Sequence, residues 1–232
     1  MRAGGERFLV RALLFAACAG AYALPLFGQD LSHDFYVHEF WTELEPMVFQ
    51  SGQAGPLTKD EAVRQILTEA QYVFSGELYG FTFSWTPGDP RRAISDSFTL
   101  RPVAQIKWGD PNLRVLDTRV ENRRLIARVM YTLAPFQESW KQGWDSNVYP
   151  TATGRGEGNY LLGFNQKIAS YEDAVKEAIH GYLRERVLNR PNKVTGQVVF
   201  SGEPYTVIEA GKYVTTLTVK LKIDKVVPYT VF

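Results

Sequence analysis

The chain has 232 residues, with 26 basic side chains against 25 acidic ones and a single cysteine, Cys18. A charge this close to neutral excludes the broad basic surface that a nucleic-acid partner requires, and one cysteine excludes any internal disulfide. Stability must therefore come from a hydrophobic core, and the length is enough for one large domain or two small ones.

Residues 1–28 read as an export signal. Arg2, Arg7 and Arg11 form a basic start, residues 12–27 carry no charge, and small residues follow at Ala21, Ala23 and Gly28. The uncharged run is shorter than the roughly 20 apolar residues that cross a bilayer. Cleavage after Gly28 starts the mature chain at Gln29; the Ala21-Tyr22-Ala23 triplet fits the small-x-small pattern and stays open as the alternative. The expectation is a periplasmic or secreted bacterial protein with no membrane span after signal cleavage. Cys18, preceded by Ala16-Ala17, loosely resembles the lipidated cysteine of bacterial lipoproteins and is a candidate lipid anchor. Phe15 departs from the usual Leu, however, and the apolar run continues to Phe27, so a cysteine discarded with the signal is the simpler reading. Losing Arg2, Arg7, Arg11 and Glu6 takes 26 basic and 25 acidic groups to 23 and 24, a formal charge of −1, and removes any thiol nucleophile.

Residues 29–57 form an N-terminal extension. Its stretch 31–49 is acidic and aromatic without one clean period, so a short helix and a strand both fit, and a flexible turn follows at 51–56. A first unit spans 58–135. Thr58 and Glu61 make a capping box for a helix over 58–74, ended by Ser75-Gly76. A strand follows over 77–85, with a slip at Gly80, and then a strong turn at 86–90. A second strand covers 98–108, weakened by Pro102. Strands 113–120 and 124–133 form a hairpin around Glu121-Asn122, with Leu125, Ala127, Val129, Tyr131 and Leu133 as the core face.

Residues 136–169 break the pattern and read as an aromatic, glycine-rich connecting loop. A second unit, 170–232, echoes the first. Ser170 and Asp173 stand where Thr58 and Glu61 stood, and Ala174-Val175 repeat Ala62-Val63, at an offset of 112 residues. Strands follow at 194–200, 205–209 and 213–227. The expected fold class is α+β: two related helix-plus-antiparallel-meander units, mostly antiparallel sheet, with the helices packed on one face.

Candidate sites are few. His33 and His38 are spaced by five residues, which suits neither a helix face nor a strand face, and no HExxH occurs. With His180 they read as surface or partly packed histidines, and no metal or cofactor is expected. Gly154, Gly156 and Gly158 lack the Lys-Ser/Thr of a phosphate loop and read as loop flexibility. Asp89, Asp96, Asp110 and Asp117 lie at turns, where Asp is favoured on backbone grounds. The aromatics say more. Trp85 and Trp108 stand at strand ends, either plugging the core or lining a groove, while Trp140, Trp144 and Tyr149 have no regular element to belong to and are the first choice for an interaction surface. A terminal Phe232 is shared with outer-membrane barrels, but Pro228, Thr230 and two amphipathic helices exclude that architecture. The expected function is a non-enzymatic exported envelope protein, an interaction or scaffold module whose partner is an envelope protein or cell-wall component. The alternatives are a carbohydrate-active hydrolase using turn carboxylates and a carrier of an apolar ligand.

Overall fold

Thr58 starts the first long helix, as its capping pattern requires. In the computed structural model, which describes residues 34–46, 50–51, 55–187 and 189–229, helix α1 spans Lys59–Leu78. The Glu61 N–H donates to the Thr58 hydroxyl, and the Thr58 N–H donates to the Glu61 carboxylate at 2.9 Å. Ser75-Gly76 does not end the helix. The Ser75 hydroxyl donates to the Gln71 carbonyl at 2.6 Å, so it is satisfied in place, and Gly76 lets Phe81 and Phe200 pack directly on the helix backbone. The chain turns instead at Gly80, whose φ of 70° and contact with the Val198 carbonyl leave no room for a side chain. The signal region, Cys18 and His33 lie outside the described residues.

The ambiguous stretch before α1 is strand β1 (Phe35–Glu43). After α1 come β2 (Phe81–Thr86), β3 (Ser97–Pro102), β4 (Leu113–Glu121) and β5 (Arg124–Thr132). Then follow α2 (Pro135–Asp145), β6 (Thr151–Asn159), α3 (Asn165–Arg184), β7 (Lys193–Phe200), β8 (Tyr205–Glu209) and β9 (Lys212–Val227). One sheet has the order β1-β5-β4; the other runs β3-β2-β7-β9-β6, with β8 also on β9. Every pairing is antiparallel, so the fold is α+β and dominated by sheet.

The two halves share one wiring. In each, a strand precedes the helix, a strand follows it, and a hairpin comes last. The second strand of that hairpin pairs with the strand before the helix, giving β1-β5-β4 in one half and β6-β9-β8 in the other. Helix α1 packs on β1 and β5, and α3 on β6 and β9. The strands that follow the helices, β2 and β7, pair with each other and join the halves.

The helix register is not the one read from the sequence. Ala62, Ile66, Glu69, Ala70, Val73, Phe74 and Leu78 of α1 are buried, as are Lys167, Tyr171, Ala174, Val175, Ala178, Ile179 and Leu183 of α3. These sets match at a constant separation of 105 residues. An offset of 112 differs by seven residues, about two helical turns, which keeps the same face and so reproduces the pattern. Ser170 is therefore no cap. It lies inside α3, fully buried, with its hydroxyl 2.6 Å from the Lys167 carbonyl and 2.6 Å from the Thr215 hydroxyl. Asp173 accepts the Glu157 N–H of β6 at 2.9 Å.

The stretch 136–169, expected as a connecting loop, holds α2, β6 and the start of α3. Pro135 sits in the first turn of α2, and the Gln137 side chain accepts the Ala134 N–H at 2.7 Å. Strand β6 has the period of two that strands need, but its buried face is Gly154, Gly156 and Gly158. A Cβ on these would strike the α3 backbone at Ala174, Ser170 and Gln166. The glycines are thus a groove into which a helix ridge of small residues settles, not a flexible segment. Around this frame the expected core face of β5 is buried, from Leu125 through Leu133, and Ala62 and Ala174 are 0 % exposed.

Candidate functional site

Helix α2 is held by its polar side. Buried Gln137 donates to the hydroxyls of Tyr79 and Tyr131 at 2.7 and 2.8 Å, and Lys141 pairs with Asp34 at 3.1 Å. Phe136, Trp140 and Trp144 recur every four residues and form one stripe along the flank next to the Gln137–Lys141 side. Phe136 is 67 % exposed and Trp140 45 %. Trp140 sets its edge against Tyr79 with ring centres 6.0 Å apart, while Trp144 is half-buried against Tyr149 at 4.8 Å. Two of the aromatics picked out by sequence are thereby in contact, and all three belong to the region of one short helix and the chain leaving it.

Trp144 also walls a small polar pocket of about 110 Å³, together with Tyr36, Glu77, Lys141, Asp145 and Lys220. Lys220 donates to the Trp144 carbonyl at 2.8 Å, which ties β9 to the end of α2. His38 meets Glu77 at this pocket. Its Nε2 lies 2.8 and 2.9 Å from the two Glu77 carboxylate oxygens, its ring stacks 5.3 Å from Phe74, and its Nδ1 is 3.7 Å from Glu203. Burial alone lowers the His38 pKa, but the Glu77 hydrogen bond and the charges of Glu77 and Glu203 together raise it above its ordinary 6.5. Burial raises the Glu77 pKa, and His38 only partly opposes this. A histidine whose folded pKa is raised contributes stability that is complete below its unfolded pKa and is lost as pH rises through the folded value. The melting temperature should accordingly fall as pH rises above the ordinary histidine value of 6.5. Glu77→Gln should flatten that fall in circular dichroism melts; parallel pH profiles for the two proteins would remove the His38–Glu77 pair as its cause.

Trp85 and Trp108 do not join this site. Trp108 is 57 % exposed, beyond the end of β3. Trp85 is buried and floors a cleft of about 540 Å³ lined by Asp96, Lys176, His180, Arg184 and Arg190, among others. Asp96 there accepts from the Trp85 Nε1 at 3.0 Å and from the Gly88 N–H at 3.3 Å, and also pairs with Lys176. Burial works against ionisation, yet those donors hold the Asp96 pKa below its ordinary value. A carboxylate so engaged is a structural keystone of the 87–96 turn rather than an acid or base. Asp89 and Asp110 likewise accept backbone N–H groups of Arg91 and Asn112. His180 stands edge-on to Trp85 at 5.5 Å, half exposed.

A third constellation lies wholly inside. Lys167 of α3 pairs with Glu69 of α1 at 2.7 Å, donates to the Trp41 carbonyl at 2.7 Å, and sits 4.0 Å over the Trp41 ring. Tyr171 donates to the other Glu69 oxygen. Burial lowers the Lys167 pKa while Glu69 opposes it. Sequence reasoning missed these residues and the His38–Glu77 pair. Charged residues at otherwise apolar positions of the two helix faces, Glu69 and Lys167, were the available signal.

Among the described residues no cluster of three or more His, Cys, Asp or Glu is placed to hold a metal, and no helix is long and apolar enough to cross a membrane. No solved structure matches the chain. The chain is similar to an uncharacterized protein of Treponema pallidum (strain Nichols), 25 % identical over 195 residues, which covers 83 % of this chain and 81 % of that one. One protein-family model matches residues 27–229, nearly all of the sequence, so the chain belongs to that family, an uncharacterised family of bacterial proteins.

Proposed function

We propose that the protein is an exported, non-enzymatic interaction module of the bacterial envelope, and that the α2 stripe is what it offers to a protein or cell-wall partner. The observation that carries this reading is the exposure of Phe136 and Trp140 on a helix that Gln137 and Lys141 anchor firmly along the adjacent flank. Aromatics held rigidly at the surface are the usual anchors of an interface, because little side-chain entropy remains to be lost on binding. The basic start and uncharged run of residues 1–28 support export.

The test combines fractionation with site-specific photocrosslinking in intact cells. A crosslinker at position 136 should capture a discrete envelope component, whereas one at equally exposed Tyr205 should not. Phe136→Ser with Trp140→Gln should abolish binding of that component by the purified protein while shifting stability by no more than about 1 kcal/mol, as for surface changes. Recovery of the protein in the cytosolic fraction, or the same products from positions 136 and 205, would sink the proposal.

A further inference from the structure

Among the described residues strand β4 is the open edge of its sheet, and of its nine residues only Leu113 is even partly covered. Val120 is 63 % exposed, and Val115 and Leu116 are also exposed. An edge of this length with three bare aliphatic side chains is a template for another strand. What that strand must be follows from the register.

Against β5, Leu116 is the extra residue of a bulge: Val115 stands opposite Val129, and Asp117 already stands opposite Arg128. The bulge sorts the side chains. Val115, Thr118 and Val120 lie opposite Val129, Ala127 and Leu125, which are buried, and so share the core side. Arg114, Asp117, Arg119 and Glu121 lie opposite Met130, Arg128, Ile126 and Arg124, on the outer side.

We propose that β4 pairs antiparallel with β4 of a second copy of this chain, about a two-fold axis at Thr118. Counting through the bulge, this axis puts Val115 opposite Val120 of the second copy and Thr118 opposite its own equivalent, all on the core side. On the outer side it puts Arg114 opposite Glu121 and Asp117 opposite Arg119. Each contact off the axis occurs twice, as two-fold symmetry requires. Both charged pairs are of opposite sign, and both core-side pairs are of the kind that stabilises sheets. The neighbouring registers fail. An axis at Asp117 sets Asp117 against itself and Arg114 against Arg119; an axis at Arg119 sets Arg119 against itself and Asp117 against Glu121. Charges and a bulge on an edge usually repel foreign strands. Here they repel the registers one residue to either side of this one, which is how specificity is built against competitors. The result is a continuous sheet ordered β1-β5-β4-β4-β5-β1. This surface is independent of the α2 stripe.

Sedimentation velocity on the purified protein tests the proposal. A concentration-dependent dimer is expected. Arg114→Glu faces Glu121 of the second copy twice and should weaken the dimer about tenfold. Adding Glu121→Arg to it should restore the dimer, since the swap returns opposite signs to both contacts. Among the described residues Arg114 bonds the Pro111 carbonyl and Glu121 pairs with Arg119 at 3.6 Å; both contacts are at the surface, so circular dichroism melts of these variants should correspond to a loss of no more than about 1 kcal/mol. In a Cys18→Ser background, Thr118→Cys should form an intermolecular disulfide on oxidation, because opposed Cα atoms in an antiparallel pair lie within about 5.5 Å. A monomer at every concentration up to the solubility limit overturns the proposal. So does a dimer indifferent to Arg114→Glu, which would use another surface, or a failure of Thr118→Cys to crosslink.

Discussion

Lys167→Met should cost the fold about 3–5 kcal/mol, the loss expected when one partner of a buried ion pair is removed. The methionine fills most of the lysine's volume, so the loss is electrostatic rather than a cavity. Glu69 would lose its cation and keep only the Tyr171 hydroxyl as a partner, and the Trp41 carbonyl would lose its donor. A single domain has about 5–15 kcal/mol in hand, so this one change consumes a large part of it. The double variant Lys167→Met, Glu69→Leu should recover most of the loss, because no buried charge remains and the two apolar side chains can pack. Urea denaturation of the three proteins checks this. If the single and double variants are equally unstable, Lys167 matters for its shape and not for its charge.

Gly156→Ala should destabilise by about 3 kcal/mol or more, the upper range for overpacking. The added methyl would meet the Ala174 nitrogen, the Ser170 carbonyl and the Asp173 backbone. None of these is the loose end of a side chain, so the helix itself must lift off β6. An ordinary strand position gains from Gly→Ala through reduced freedom of the unfolded chain, which makes the expected sign here diagnostic. Gly202→Ala is no control, because its φ of 89° carries a separate penalty; Gly143, in α2 with open space around it, is. Gly143→Ala should be neutral or slightly stabilising in the same denaturation experiment, and a comparable loss there would show that the groove is not the cause.

The parts of the fold that could be read from sequence are those whose signals are local. Thr58 and Glu61 lie three residues apart and fix the start of α1 by themselves. Strand β5 alternates cleanly, and Asn122 and Arg123 take the positive φ of 48° and 64° that a tight hairpin turn needs. Strand β6 was illegible for a specific reason: alternation is normally recognised by its apolar members, and here the buried member is glycine. Helix α2 was missed because it is short and carries Gly143 and two Trp, so its four-residue stripe passed for aromatic scatter. The start of α3 was misread because Ser170 and Asp173 imitate a cap while serving buried and inter-element hydrogen bonds. Of the candidate site, Trp144 and Tyr149 were visible as unplaced aromatics. Glu77 and Lys220 were not, because each acquires its meaning only from partners far away in the chain. His38 sits 39 positions from Glu77, and Lys167 98 positions from Glu69.

The pairing of β2 with β7 also sets the order of events as the polypeptide is made. Phe81 finds its neighbour Val198 only after more than 110 further residues have been added. At a synthesis rate of roughly 5–20 residues per second, that interval is on the order of 6–25 s. During it, β2 can zip to β3 on one side while its other edge, with Phe81, Phe83 and Trp85 on one face, stays bare. The N-terminal half therefore cannot be completed early and stored. Each nascent chain carries a strand with one unpaired edge until its last quarter emerges, and a chaperone that recognises extended apolar segments would find its substrate in β2.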